Sequence, residues 1–238
     1  MHGTNEITKS FNVRDKLLVN SIWPTIQGEG PDAGRVSIFV RLAKCNLKCF
    51  FCDTEFETGE WIEHNAVVDR VLELAKTCHA KLVVLTGGEP LLQNIIPLVV
   101  GCNENKLAVA VETAGTTYSW GLQTHFTGGS KRWCGNMMVC SPKTPKLNDN
   151  LVPLIGAFKY IIRAGETSEV DGLPIYSTQV EGKEAMLYRP QEGSCVYIQP
   201  MDEGDPIKNG ANLKAAALIC MRWGYRLSVQ VHKIAGME

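Results

Sequence analysis

Nothing in this chain approaches the roughly eighteen consecutive apolar residues that a membrane-spanning helix needs. The best candidate, LLQNIIPLVVGC (91–102), is too short and is interrupted by Pro97. The first residues, MHGTNEITKSFN, lack the apolar stretch of a secretory signal, so a cytoplasmic protein without membrane attachment is expected. Charge of one sign is also missing. Lys and Arg total 24 against 25 Asp and Glu, a formal net charge of −1, which gives no general reason to expect nucleic acid or a membrane surface as partner. The nine cysteines are odd in number and do not read as a disulfide framework, which suits a reducing compartment. Internal repeats, low-complexity tracts and domain boundaries are absent too. What remains is an ordinary globular composition, 45% apolar and 21% charged, over 238 residues. That is enough chain for one sizeable core, expected over 16–238, with 1–15 as a flexible N-terminus.

Apolar, β-branched segments recur along the chain. KLLVNSIW (16–23), VSIFVRL (36–42), KLVVLTGGEP (81–90), LAVAVETAG (107–115), MMVCSPK (137–143), AFKYII (157–162), SCVYIQPMD (194–202) and RLSVQVHK (226–233) read as strands. Residues 64–78 place Val67, Val71, Leu74 and Ala75 at helical spacing, and NGANLKAAALICMRWG predicts a helix stopped by Gly224. Pro90 suits the first turn of another helix. Strands alternating with helical segments predict an α/β fold with a mostly parallel sheet, open or bent towards a barrel. Residues 120–136 show no periodicity and read as a loop insertion. Five strands end in polar clusters: TGGEP, ETAGT, SPK, QPMD and QVHK. Parallel strands bring such ends to one rim, where α/β folds bind ligands.

The densest chemistry lies in RLAKCNLKCFFCDTEFE (41–57), where Cys45, Cys49 and Cys52 fall within eight residues and no fourth thiol is near. A structural zinc site closes with four ligands, and nothing in the spacing of His64, Cys78 or His79 recommends them as the fourth. An iron–sulfur cluster is normally held by four cysteines as well. Three on a four-iron cube leave one iron open, a position a substrate can occupy.

Cys-x3-Cys-x2-Cys after an apolar strand, with GGEP at the next strand end, resembles the signature of radical S-adenosylmethionine enzymes. The resemblance implies one 4Fe-4S cluster on Cys45, Cys49 and Cys52, whose open iron chelates S-adenosylmethionine. Reductive cleavage then yields a 5′-deoxyadenosyl radical. It also implies cofactor contacts at Phe51, Cys52 and Asp53 and in the Gly87–Gly88–Glu89 turn.

The resemblance narrows to the 7-carboxy-7-deazaguanine synthase family on TIQGEG (25–30), FVRLAKCNLKCFFCDT (39–54), ETAGT (112–116), SPK (141–143), QPMD (199–202) and the terminal RLSVQVHK. It implies a modified, incomplete (β/α) barrel, a homodimer, and conversion of 6-carboxy-5,6,7,8-tetrahydropterin to 7-carboxy-7-deazaguanine by ring contraction with loss of ammonia. A flavodoxin or ferredoxin would supply electrons. By the same resemblance Gly115, Ser141, Pro142, Lys143, Gln199, Pro200, Met201 and Asp202 contact the cofactor, and Thr54 holds Mg2+. Ile26, Gln27, Gly28, Glu29, Arg41, Thr113, His232 and the terminal Glu238 contact the substrate.

The side-chain chemistry suits those assignments. Arg41 offers a planar fork to a carboxylate. Gln27 presents both donor and acceptor to a heterocycle edge, Glu29 can pair with ring N–H groups, and Mg2+ characteristically takes few protein ligands. Two features depart from the family: Lys44 stands before Cys45 where the family usually has Gly, and the 120–136 insertion is long. The alternatives are another radical enzyme of the same superfamily, such as a glycyl-radical activase, or a zinc-stabilised module without catalysis.

Overall fold

The computed structural model describes residues 6–8, 15–128 and 135–237. Among them, nine strands form a single sheet in the order β3-β1-β2-β4-β5-β6-β7-β8-β9. These are β1 (Lys16–Ile26), β2 (Val36–Leu42), β3 (Glu60–Glu63), β4 (Leu82–Gly87), β5 (Ala108–Thr113), β6 (Met137–Cys140), β7 (Ile155–Ile162), β8 (Val196–Pro200) and β9 (Arg226–Leu227). From β2 onward every neighbouring pair is parallel, whereas β1 runs antiparallel to both β2 and β3.

Helices cover one face: α1 (His64–Cys78), α2 (Ile96–Glu104) and α3 (Pro206–Trp223), with the short α4 (Val231–Ile234) at the end of the chain. α1 forms where the spacing predicts it and buries Val67, Val68, Val71 and Ala75. In α3, Asp205 caps Ile207 N (2.8 Å) and Lys208 N (3.2 Å), Pro206 takes the first turn, and left-handed Gly224 ends the helix. The helix expected directly at Pro90 is a single 3-10 turn, and α2 starts at Ile96. Helices do not follow every strand: the β5–β6 and β6–β7 connections among the described residues carry only short 3-10 turns. The 120–136 segment, expected to be a plain loop, sends Leu122 and Phe126 into the core. Residues 129–134, including Cys134, lie outside the described residues.

The alternation of strand side chains assigns the two sheet faces. Ile38, Val40 and Leu42 of β2, Val83 and Leu85 of β4, Val109 and Val111 of β5, and Phe158 and Tyr160 of β7 belong to the main core with the helices. The opposite face is apolar at the strand starts, with Leu82, Val84, Ala108 and Ala110 packed on Phe39. Towards the strand ends the same face becomes polar: Arg41, Thr86, Glu112, Lys159 and Gln199 all line cavities. Register places Arg41 beside Thr86.

Two further sequence readings need correction. The strand expected over 226–233 stops after two residues, with Ser228 N adding one further bond to Ile198 O at 2.8 Å. There the Ser228 hydroxyl accepts from Gly30 N (2.8 Å), and Val231 N donates to Gly28 O (3.1 Å). These bonds carry the chain out of the sheet, and His232 rides on a helical turn. By sequence the six cysteines outside the loop, Cys78, Cys102, Cys134, Cys140, Cys195 and Cys220, read as small apolar core residues; of the described ones Cys102 and Cys140 are buried, whereas Cys78, Cys195 and Cys220 are half-buried.

Candidate active site

The cysteine loop leaves β2 through Lys44, whose φ of 74° lies in the left-handed region that favours glycine. Its backbone is pinned from two sides, Lys44 N to Phe56 O at 2.6 Å and Glu89 N to Lys44 O at 2.9 Å. Ile7 bridges to Cys45, adding Thr8 N to Cys45 O at 2.8 Å. The loop so held aims Cys45, Cys49 and Cys52 into one cavity of about 220 Å³, and no other cysteine among the described residues lines it. Burial pushes the Cys45 thiol up to about 12 and raises Cys52 as well, though N–H of Leu47 approaches Cys45 Sγ at 3.4 Å. Coordination reverses that preference, since a metal-bound thiol is deprotonated. Three converging sulfurs with an open fourth direction fit an iron–sulfur cluster that keeps one iron accessible.

Around the same cavity stand Phe51, Asp53, Thr54, Gly87, Gly88, Thr113, Ser141, Lys143, Gln199, Pro200, Met201 and Asp202. The glycine pair has a packing reason as well. A Cβ on Gly87 would fall 2.0 Å from Leu42 O, and one on Gly88 2.1 Å from Lys44 O. Only glycines let the end of β4 lie against the backbone that launches the cysteine loop. Glu89 does not face the cavity: fully buried, it accepts from Leu91 N (3.0 Å), Thr113 Oγ1 (2.7 Å) and Ala114 N (2.8 Å). It therefore locks two strand ends together. Gly115, at φ 78°, shapes the turn against Cys140 and Leu147, and neither it nor Pro142 lines the cavity. Lys143 is half-buried, its ammonium bonded to Ser141, and desolvation lowers its pKa.

A second cavity of about 710 Å³ adjoins the first and is lined by Ile26, Gln27, Glu29, Arg41 and His232 among others. The Arg41 guanidinium stacks 4.8 Å from the Trp23 ring centre. Such stacking occupies the faces of the guanidinium and leaves its N–H fork in plane, suited to a carboxylate. On the far wall Lys159 binds two carboxylates, Glu29 and, at 3.0 Å, Glu112. Glu29 also accepts from Gln230 (2.7 Å) and Gln199 (3.1 Å), while Gln27 reaches Glu112 at 3.3 Å. Burial alone would raise Glu29, but the charge and hydrogen bond of Lys159 outweigh it and bring the carboxyl down to about 2. Glu112, sharing the same cation, stays raised by burial, with the Glu29 charge adding to it. One ammonium thus serves two carboxylates, and Glu29 has the larger share.

The end of the chain covers this cavity. A Cβ on Gly28 would lie 1.7 Å from His232 Nδ1, so the imidazole occupies the space a side chain would need. Burial lowers the His232 pKa, which favours the neutral ring. Next to it Lys233 pairs with Asp202 (2.7 Å) and approaches Asp53 (3.9 Å), and that bond takes Asp202 down to about 2. Thr113, expected at the substrate, lines the first cavity and not the second. Glu238 lies outside the described residues.

Six residues face both cavities: Asp53, Thr54, Thr86, Glu112, Lys159 and Gln230. The arrangement is a cysteine-lined compartment that shares a wall with a polar compartment. Sequence reading assigned no role to Glu112, Lys159, Gln230 or Lys233. The overlooked signal is a lone charge in an apolar strand: Lys159 alternates with buried Phe158 and Tyr160, so it must face the other way.

Residues 40–123 match the family model described as Radical SAM superfamily. The solved structure described as QueE from Escherichia coli superposes with a TM-score of 0.63 over 90% of this chain and 94% of that one; at 19% identity it supports the fold. The chain is 37% identical over 234 residues to the 7-carboxy-7-deazaguanine synthase of Rickettsia prowazekii, covering 94% of this chain and 89% of that protein. It is 44% identical over 225 residues, covering 92% of both chains, to the 7-carboxy-7-deazaguanine synthase of Rhodospirillum rubrum. Identity at that level over nearly the whole length, on this fold and around this cysteine loop, means that the chain belongs to the 7-carboxy-7-deazaguanine synthase family of radical SAM proteins.

Proposed function

We propose that this protein converts 6-carboxy-5,6,7,8-tetrahydropterin to 7-carboxy-7-deazaguanine and ammonia. The observation that carries the reading is the pair of adjoining cavities. One gathers three thiols with no fourth among the described residues, and the other is lined by both Arg41 and Glu29. When bound, a 4Fe-4S cluster on Cys45, Cys49 and Cys52 together with S-adenosylmethionine supplies one-electron radical chemistry. Arg41 clamps the substrate carboxylate. Glu29, held ionised by Lys159, accepts from the N–H groups of the guanidine-like ring edge, and Gln27 complements the adjacent donor and acceptor. His232 and Lys233 close the compartment and exclude water. Thr54 faces both cavities beside Asp53, and its hydroxyl would serve as the protein ligand of a Mg2+ ion. A reduced flavodoxin or ferredoxin delivers the electron. Ile207, Leu218 and Met221, exposed along one side of α3, supply an apolar face for a second copy in a homodimer.

The test is anaerobic turnover of the carboxypterin, with binding of the acid and of its decarboxylated analogue compared in wild type and Arg41→Ala. Wild type should prefer the acid, and truncating one partner of the buried charge pair should cost about 2–5 kcal/mol of that preference. If the variant weakens both ligands equally, the carboxylate is held elsewhere. If wild type turns over neither, the proposed reaction is wrong.

A further inference from the structure

Of the three cysteines in the loop, Cys49 differs in its surroundings. A backbone N–H approaches Cys45 Sγ, and Cys52 Sγ lies 3.6 Å from a carbonyl oxygen, that of Thr54, which donates nothing. Cys49 Sγ instead has a side-chain amide within reach, Gln179 Nε2 at 3.2 Å. Gln179 belongs to the long excursion between β7 and β8, which hydrogen-bonds to the cysteine loop. It is fastened there by Phe50 N to Thr178 O at 3.0 Å, with Arg163 over the Phe50 ring at 5.3 Å and paired with Glu181 at 3.1 Å.

The amide orientation is set by its partners. The Gln179 carbonyl Oε1 accepts from Lys48 N at 2.8 Å, so the NH2 end must face the other way. One of its two hydrogens goes to Thr178 Oγ1 at 2.7 Å, whose own hydroxyl donates to Lys143 O at 2.9 Å. The remaining hydrogen points at Cys49 Sγ. A fully committed amide is a fixed donor, and flipping it would cost the bond to Lys48 N and set oxygen against sulfur.

We propose that Gln179 is a positioning residue for the iron–sulfur centre: its N–H···S bond to Cys49 raises the reduction potential of the cluster and fixes the Cys49 corner. The inference rests on the reading of Cys45, Cys49 and Cys52 as cluster ligands. A donor to a coordinating sulfur stabilises the more negative, reduced state, and hydrogen bonds to the sulfurs are among the factors that set cluster potentials. Loss of the donor therefore makes the cluster harder to reduce. Loosening the excursion so that water reaches the cluster acts in the opposite direction, because water also favours the more negative state. The sign separates a donor from a mere cover.

The experiment is an EPR-monitored redox titration of anaerobically reconstituted protein, without substrate, comparing wild type, Gln179→Leu and Gln179→Glu. Gln179→Glu keeps the acceptor for Lys48 N and sets a carboxylate oxygen against the sulfur. Both variants should load iron and sulfide as wild type does and titrate at more negative potential. For Gln179→Leu the reduction equilibrium should fall about tenfold, equivalent to ~59 mV for one electron, and for Gln179→Glu it should fall further. Potentials unchanged from wild type, or moved upward, overturn the proposal. So does a variant that loads no cluster while its thermal unfolding matches wild type, since Gln179 would then be needed for assembly and not for tuning. Wild type that assembles no cluster would instead sink the reading of the cysteines.

Discussion

At single residues, strain and burial make separate demands. Lys44 pays about 1–2 kcal/mol for its left-handed backbone, and its carbonyl and amide are tied to Glu89 and Phe56. Lys44→Gly relieves that strain at a smaller cost in unfolded-chain entropy, about 0.5–1 kcal/mol. The variant should melt about 1–3 °C higher with cluster content unchanged; a lower melting temperature would show that the lysine side chain stabilises the loop. Glu29 makes a pH prediction. Its folded value of about 2 lies below the ordinary 4.5, so its contribution is complete above about 4.5 and is lost as pH falls towards 2. In Lys159→Met two buried carboxylates lose their shared cation, which typically costs about 3–5 kcal/mol. Acid unfolding curves should lose most of their Glu29-dependent slope in that variant. An unchanged slope would place the acid sensitivity at other carboxylates.

At the level of elements, patterns of apolar residues and caps were legible and departures forced by tertiary contacts were not. β2, α1 and α3 form where periodicity and capping put them. The end of the chain reads as a strand because Leu227, Val229 and Val231 alternate, but Ser228 and Val231 bond to the glycine turn at 28–30, and no local pattern reports so distant a partner. The cysteine triple was legible because all three thiols lie in one loop. The Glu29–Lys159–Glu112 group was not, because it joins three elements far apart in the chain. The packing of the terminal turn on Gly28 can be tested by a double-mutant cycle. Gly28→Ala forces His232 out of its seat, so the KM for carboxypterin should rise at least about tenfold while the cluster spectrum persists. With His232→Ala also present the added methyl meets nothing, and the double variant should match His232→Ala alone. Additive losses would mean that Gly28 serves the loop backbone independently of the histidine.

Across the whole molecule, the sheet brings six residues from five segments of the chain to a wall facing both cavities. Any ligand that orders this wall from one side changes what the other side meets. S-adenosylmethionine in the first cavity would contact Asp53, whose neighbour Thr54 faces both compartments, and would lie near the Asp202 carboxylate that holds Lys233 over the second. Binding of the two ligands should therefore be coupled, and coupling free energies between sites are typically about 1–3 kcal/mol. Anaerobic calorimetry should find that carboxypterin binds at least about fivefold more tightly when S-adenosylmethionine is present. Thermodynamic reciprocity then requires carboxypterin to tighten S-adenosylmethionine by the same factor. Lys233→Ala removes the tie between Asp202 and the terminal turn and should shrink the factor towards one, leaving S-adenosylmethionine affinity alone nearly unchanged. Equal carboxypterin affinity with and without S-adenosylmethionine in wild type would show that the shared wall is rigid and that each compartment fills on its own.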